Sequence, residues 1–184
     1  MLDTDALPIT GRLIWDRAPY AIVLDAVRHA EQSVWIATAN LKDLHVEGAR
    51  GRYVSGLSWL ERLAAKGVEL RILHASLPSG PFRASFDERP SLVRGGLSLR
   101  QCPRVHLKTV IVDGRLAYVG SANWTGAGLG AKSEHRRNFE VGVVTEDDVA
   151  LDAIQARYAA IWRGSPCRKC GQRRVCEAPL DVTA

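Results

Sequence analysis

Two apolar runs meet at Asp113-Gly114: residues 105–112 (VHLKTVIV) on one side and 115–119 (RLAYV) on the other. An Asp-Gly pair between alternating apolar runs is a strong signal of a β-hairpin. Any sheet containing it is at least partly antiparallel. Around the hairpin, strand and helix patterns alternate. Strands are expected at residues 13–15, 33–39, 68–74, 97–102 and 139–144, and amphipathic helices at 18–32, 54–66 and 147–162. Gly67 is a natural stop for the second helix. Residues 40–53 read as a loop. Residues 77–90 (LPSGPFRASFDERP), with three prolines and a glycine, read as a long, mobile surface loop. The pattern predicts an α/β fold, a mixed β-sheet sandwiched by helices, over residues 1–163. A Cys- and Arg-rich tail over residues 164–184, packed on that domain, follows.

Side chains alternate faces along a strand, so His106 and Lys108 point the same way. If Asp113-Gly114 is a two-residue turn, Val112 pairs with Arg115, Lys108 with Val119 and His106 with Ser121. One face then presents an imidazole, an ammonium, the Ser121 hydroxyl and the Asn123 amide. That set suits a phosphodiester. Lys108 faces the non-bridging oxygens, Ser121 and Asn123 donate hydrogen bonds of fixed direction, and His106 serves as nucleophile or as acid and base. A lone histidine in a strand is more often packed or simply exposed; here six residue types recur at fixed spacing. Asp113 falls at the turn on the opposite face, where it sets the turn or pairs with a nearby arginine.

His106-x-Lys108, Asp113 and Gly120-Ser121-x-Asn123 resemble the signature of the phospholipase D superfamily, in the form whose asparagine follows the serine by two. Glu140, in Asn138-Phe139-Glu140, resembles the carboxylate that the family places on the next strand; otherwise it reads as a solvated strand-end acid. The resemblance implies covalent catalysis by two histidines. One attacks phosphorus to form a phosphohistidine, and the other protonates the leaving oxygen and then activates water. It also implies that Glu140 holds His106 by a hydrogen bond, and that no metal or other cofactor is needed for catalysis. The sequence has a single His-x-Lys. It resembles single-motif bacterial endonucleases that act as homodimers across a two-fold axis.

Substrate is open among lipid, DNA and RNA. Lys plus Arg number 25 against 20 Asp plus Glu, giving a net charge of +5. Five arginines lie between Arg83 and Arg104, Lys132, His135, Arg136 and Arg137 precede Glu140, and five basic residues lie between Arg163 and Arg174. Basic segments close to the active strands favour a nucleic-acid partner, DNA slightly over RNA. The arginine bias also fits a GC-rich genome. Trp124 reads either as a base-stacking side chain or as a core tryptophan. A lipid enzyme needs an apolar docking element, and the candidate is the loop carrying Leu77, Pro78, Pro81, Phe82 and Phe86. The expected function is thus a DNA endonuclease. The alternatives are a phospholipase or phosphatidyltransferase, or a nucleic-acid-binding subunit of a larger complex. Some family relatives belong to phage-defence systems, which makes that role an expectation too.

Cys167-x2-Cys170-x5-Cys176, with Cys102 as a fourth ligand, reads as a structural zinc site or a [4Fe–4S] site. Four free thiols, with Cys102 packed as a small apolar residue, is the other reading. No apolar run approaches the roughly 20 residues that span a bilayer. The first ten residues, MLDTDALPIT, lack the layout of a signal peptide, so a cytoplasmic location is expected.

Overall fold

The computed structural model describes residues 6–47 and 52–182. In chain order the elements are β1 (Arg12–Trp15), α1 (Ala18–Arg28), β2 (Ser33–Thr38), β3 (His45–Glu47), β4 (Tyr53–Ser55), α2 (Leu57–Ala65), β5 (Glu69–His74), α3 (Gly80–Asp87), β6 (Ser98–Gln101), β7 (Thr109–Val112), β8 (Leu116–Gly120), β9 (Val141–Thr145) and α4 (Asp148–Trp162). Seven strands form one sheet in the order β1-β9-β8-β7-β2-β5-β6. The β2, β5 and β6 strands run parallel, while β2–β7, β7–β8, β8–β9 and β1–β9 are antiparallel pairs. The α/β architecture with a mixed sheet between helices is the one the sequence predicts.

Even-numbered strand residues such as Val34, Ile36, Ile72, Val110, Tyr118 and Val144 pack under α1 and α2. Odd-numbered ones such as Ala37, Leu73, Ile111 and Ala117 pack against Leu151 and Tyr158 of α4. Each strand position thus chooses between two cores. Local chemistry sets the helix limits. The Asp147 side chain accepts from Ala150 N at 2.8 Å to start α4, and Gly67 with φ +85° ends the turn after α2.

Two expectations about loops are corrected. Within residues 40–53, of which 48–51 lie outside the described residues, β3 and the start of β4 form, and Val46 pairs with Val54 just beyond. Residues 77–90 contain α3. Ser79 accepts from Phe82 N at 3.3 Å, and Pro81 sits in the first turn, where a missing N–H costs nothing. Phe82 is then buried in the α1–α2 core. The prolines that suggest a loop instead begin a helix.

The hairpin register is also corrected. Asp113 and Gly114 both take left-handed φ, +53° and +64°, and Arg115 N bonds Val112 O at 2.9 Å. The ladder nevertheless pairs Val112 with Leu116 rather than with Arg115, so Arg115 is an extra residue, a bulge. Lys108 therefore faces Gly120, whose N–H donates to its carbonyl at 3.1 Å. A one-residue slip moves every side chain to the other face. Ser121 consequently does not sit opposite His106.

Candidate active site

Continuing the registers places one row of even-face positions across the end of the sheet: Gly142, Gly120, Lys108, Thr38, His74 and Gln101. Lys108 is buried. Its ammonium lies 2.7 Å from His106 Nδ1 and donates to the His106 carbonyl at 2.9 Å. An ammonium only donates, so Nδ1 is the acceptor in this arrangement. Burial pushes the Lys108 pKa below its ordinary value, and the nearby Glu140 carboxylate works the other way. The His106 imidazole itself is exposed. A small, dry positive charge thus underlies a ring that solvent and substrate can reach.

Glu140 is also buried, and its carboxylate accepts from the Ser121 hydroxyl and, at 3.0 Å, from Asn138 Nδ2. These bonds, rather than one to His106, hold it within this chain, which corrects the expected Glu140–His106 contact. Ser121 reaches the site because it lies just past the end of β8. There its N–H donates to Val141 O at 3.0 Å, and its hydroxyl accepts from Val141 N at 3.1 Å. Asn123 is turned inward. Its Oδ1 accepts from Thr38 Oγ1 at 3.2 Å and from Ala39 N and Asn40 N, each at 3.1 Å. It therefore locks the end of β2 against the Ser121 turn and leaves only its Nδ2 to face a ligand.

Asp113 lies at the far end of β7, away from this group. Its carboxylate accepts from the backbone N–H groups of Glu31, Gln32 and Ser33 at 2.7–3.2 Å. Burial works against its charge, but those bonds and the Arg115 charge hold the pKa below the ordinary carboxylate value. Trp124 is a core residue: it is buried, and its backbone N–H donates to Thr38 Oγ1 at 2.9 Å. The base-stacking reading is thereby corrected, because the fold uses the indole to pack under the sheet.

Two residues of the site carry no motif signal. Tyr118 is fully buried, and its hydroxyl accepts from Ala122 N at 3.2 Å. Its ring occupies the space over Gly120 and Gly142, where any Cβ would run into it. Burial raises the phenol pKa, as does Glu140, while the Ala122 bond opposes them. His74, beside Thr38 on the next strand, is buried and bonds Ser76 O at 3.0 Å through Nδ1. Burial lowers its pKa and the Ser76 bond opposes the shift. The glycine spacing around Tyr118 was the visible signal; His74 had none.

Cys102, Cys167, Cys170 and Cys176 are partly exposed free thiols. Among the described residues, no three or more His, Cys, Asp or Glu side chains are grouped so that they could hold a metal ion.

Comparison with known proteins places the chain in a family. Residues 23–162 match the family model described as "Cardiolipin synthase, PLD-like domain". The chain belongs to the phospholipase D-like family. Among curated proteins, this phospholipase D-like chain is 28% identical to a probable cardiolipin synthase, YwiE, of Bacillus subtilis over 73% of its own length and 25% of the relative's. It is 29% identical to a Staphylococcus aureus cardiolipin synthase over 61% of its length and 25% of the relative's. The chain thus spans about a quarter of those curated relatives. Two solved structures share the fold. NucT from Helicobacter pylori has a TM-score of 0.59 and 15% identity, over 82% of this chain and 93% of its own. Nuc, a phospholipase D family member from Salmonella typhimurium, has a TM-score of 0.58 and 18% identity, over 84% and 95%. Among the described residues, no helix is long and apolar enough to cross a membrane.

Proposed function

We propose that this domain is a phosphodiesterase that cleaves DNA through a phosphohistidine, without a catalytic metal, as a homodimer. The reading is carried by the exposed His106 imidazole over the buried Lys108 ammonium, with exposed cations on the segments around it. Lys42 follows β2, Arg104 precedes His106, and Lys132 and Arg136 precede Glu140. A phosphate backbone crossing that end of the sheet meets positive charge from several sides.

The chemistry balances with two imidazoles. A His106 ring nitrogen attacks phosphorus, the bond to the leaving oxygen breaks, and a second imidazole gives that oxygen its proton. Water then attacks phosphorus, passes a proton to the second imidazole, and the phosphorus–nitrogen bond breaks. Lys108 stabilises the non-bridging oxygens. Glu140 fixes the Ser121 hydroxyl beside them. The second imidazole is His106 of a second copy. Next to the site, Leu13, Trp15, Val119 and Val141 share the odd face of β1, β9 and β8 and are exposed. An apolar stripe of this kind on a sheet favours a protein partner.

The cardiolipin synthase relatives favour a second reading, phosphatidyl-group transfer. Against it, the aromatics of the segment expected to dock on a membrane turn inward, Phe82 buried and Phe86 stacked on it at 6.2 Å, although Leu77 stays exposed.

The test is cleavage of end-labelled single- and double-stranded DNA in excess EDTA, beside hydrolysis of anionic phospholipid vesicles. Wild type should cut DNA, and His106→Ala should lose at least about 100-fold of that rate. Lipid turnover without DNA cleavage would establish the second reading. Salt-sensitive DNA binding with neither activity would make the chain a binding subunit.

A further inference from the structure

Residues 164–182 fold back on the segment that leads into His106. Gly164 turns with φ +74° at a place where any Cβ would run into the backbone of Leu180 and Asp181. Leu180 is buried in the α4-side core, and Arg173 pairs with Asp181. Within this loop Cys167 begins one 3-10 turn, Cys167–Lys169, and Cys170 ends it; Cys176 ends a second, Arg173–Val175. Cys102 approaches from the domain, directly after β6, with its N–H on His74 O at 2.8 Å. All four cysteines, from these three places, line one cavity of about 20 Å³.

The surroundings of that cavity are cationic. Arg104 Nη1 lies 3.4 Å from Cys170 Sγ, and the Gln172 backbone N–H is directed at the same sulfur. Neutral thiols are weak acceptors and have little use for a guanidinium and an amide directed at one sulfur. A divalent ion with four thiolates carries a net charge of −2, and charged donors around the sulfurs are what stabilise it.

We propose that Cys102, Cys167, Cys170 and Cys176 bind a single zinc ion that staples the C-terminal loop to the segment carrying His106. The four cysteines line the cavity, but no three of their sulfurs are close enough together to hold an ion, so loading requires the thiols to move inward. Tetrahedral thiolate coordination is the ordinary structural zinc site. The cavity favours one ion. Its volume is close to the space one water occupies, whereas an iron–sulfur cubane brings eight core atoms. Loading releases the thiol protons, so affinity falls as pH falls. With four protein ligands the ion keeps no open position. Its effect is to position His106, because Val105 N bonds Cys102 O at 2.9 Å between the two. The proposal does not depend on which phosphodiester the site takes.

The test begins with the full chain purified without added metal, both in air and anaerobically, and its metal content. About one zinc per chain is expected. After exchange into cobalt, the spectrum should show sulfur-to-cobalt charge transfer and the strong visible bands of a tetrahedral thiolate site. Cys170→Ser and Cys176→Ser should each lose the metal and lower Tm by at least about 5 °C. If neither variant folds, the zinc content and cobalt spectrum of wild type decide alone. Metal-free wild type with four freely titrating thiols, or iron with acid-labile sulfide, would overturn the proposal. Zinc content measured on EDTA-treated enzyme separates loss of this staple from loss of chemistry at His106.

Discussion

At the residue scale, the clearest division of labour is between His106 and Asp113, which one motif joins and the fold sends to opposite ends of β7. Asp113 is an anchor: a left-handed turn residue whose carboxylate closes three backbone N–H groups of the α1–β2 connection. Asp113→Ala removes that acceptor from donors that water can largely reach, at a cost of about 1 kcal/mol. The sign of its pH dependence follows from the depressed pKa. The native carboxylate holds its proton less tightly than the unfolded one, so its stabilisation is complete above the ordinary value of 3.8. It is lost as pH falls from there through the lower native pKa. Urea unfolding of the two proteins should differ by that amount at pH 7 and converge in acid. A constant difference at all pH values would show that the charge plays no part. The sequence made the side-chain types of the site legible, because His-x-Lys puts two groups on one face of any extended segment. It hid how Ser121 arrives, since an Asp-Gly pair does not announce that Arg115 will bulge and reverse the parity of β8.

At the element scale, α3 is the largest departure from what the sequence suggests. Pattern reading weighs prolines as breakers, whereas Pro81 is harmless in a first turn and Pro78 precedes the Ser79 cap. What makes the segment a helix is tertiary: it carries Phe82 into the core beside Leu92 and α2. Phe82→Ala should therefore cost about 3–5 kcal/mol, the usual loss for emptying a buried aromatic site. A change within about 0.5 kcal/mol, as expected of a mobile surface loop, would mean that the helix does not dock. Denaturant midpoints at constant m-value make the measurement. The same consideration explains why the strands and long helices were legible and the short ones were not. The β2, β5 and α2 patterns are set by a core that buries them along most of their length. By contrast, β3, β4 and α3 are short and bury few side chains of their own, chiefly Val46 and Phe82.

At the scale of the whole molecule, the sheet has an unequal cover. One face is packed beneath α1 and α2 along its length, while α4 covers the middle of the other and leaves its β1–β9–β8 end open. There Trp15 is 58% exposed and stands opposite Val141, with Leu13 and Val119 beside them. Val141 adjoins Glu140 and accepts the Ser121 N–H, so whatever covers the stripe also borders the site. In the proposed dimer a second copy covers the stripe and supplies the second imidazole, and an isologous contact is the commonest way for identical chains to pair. Large exposed aromatics are the residues on which such contacts depend most. Trp15→Glu should therefore turn a dimer into a monomer in analytical ultracentrifugation. It should leave circular dichroism unchanged, since the side chain lies in solvent, and lower cleavage at least about tenfold. Mixing the enzyme with a tenfold excess of His106→Ala should, after subunit exchange, leave roughly one wild-type chain in ten paired with another. Activity that survives undiminished in a monomeric Trp15→Glu protein would place both chemical roles within one chain and remove the second imidazole from the mechanism.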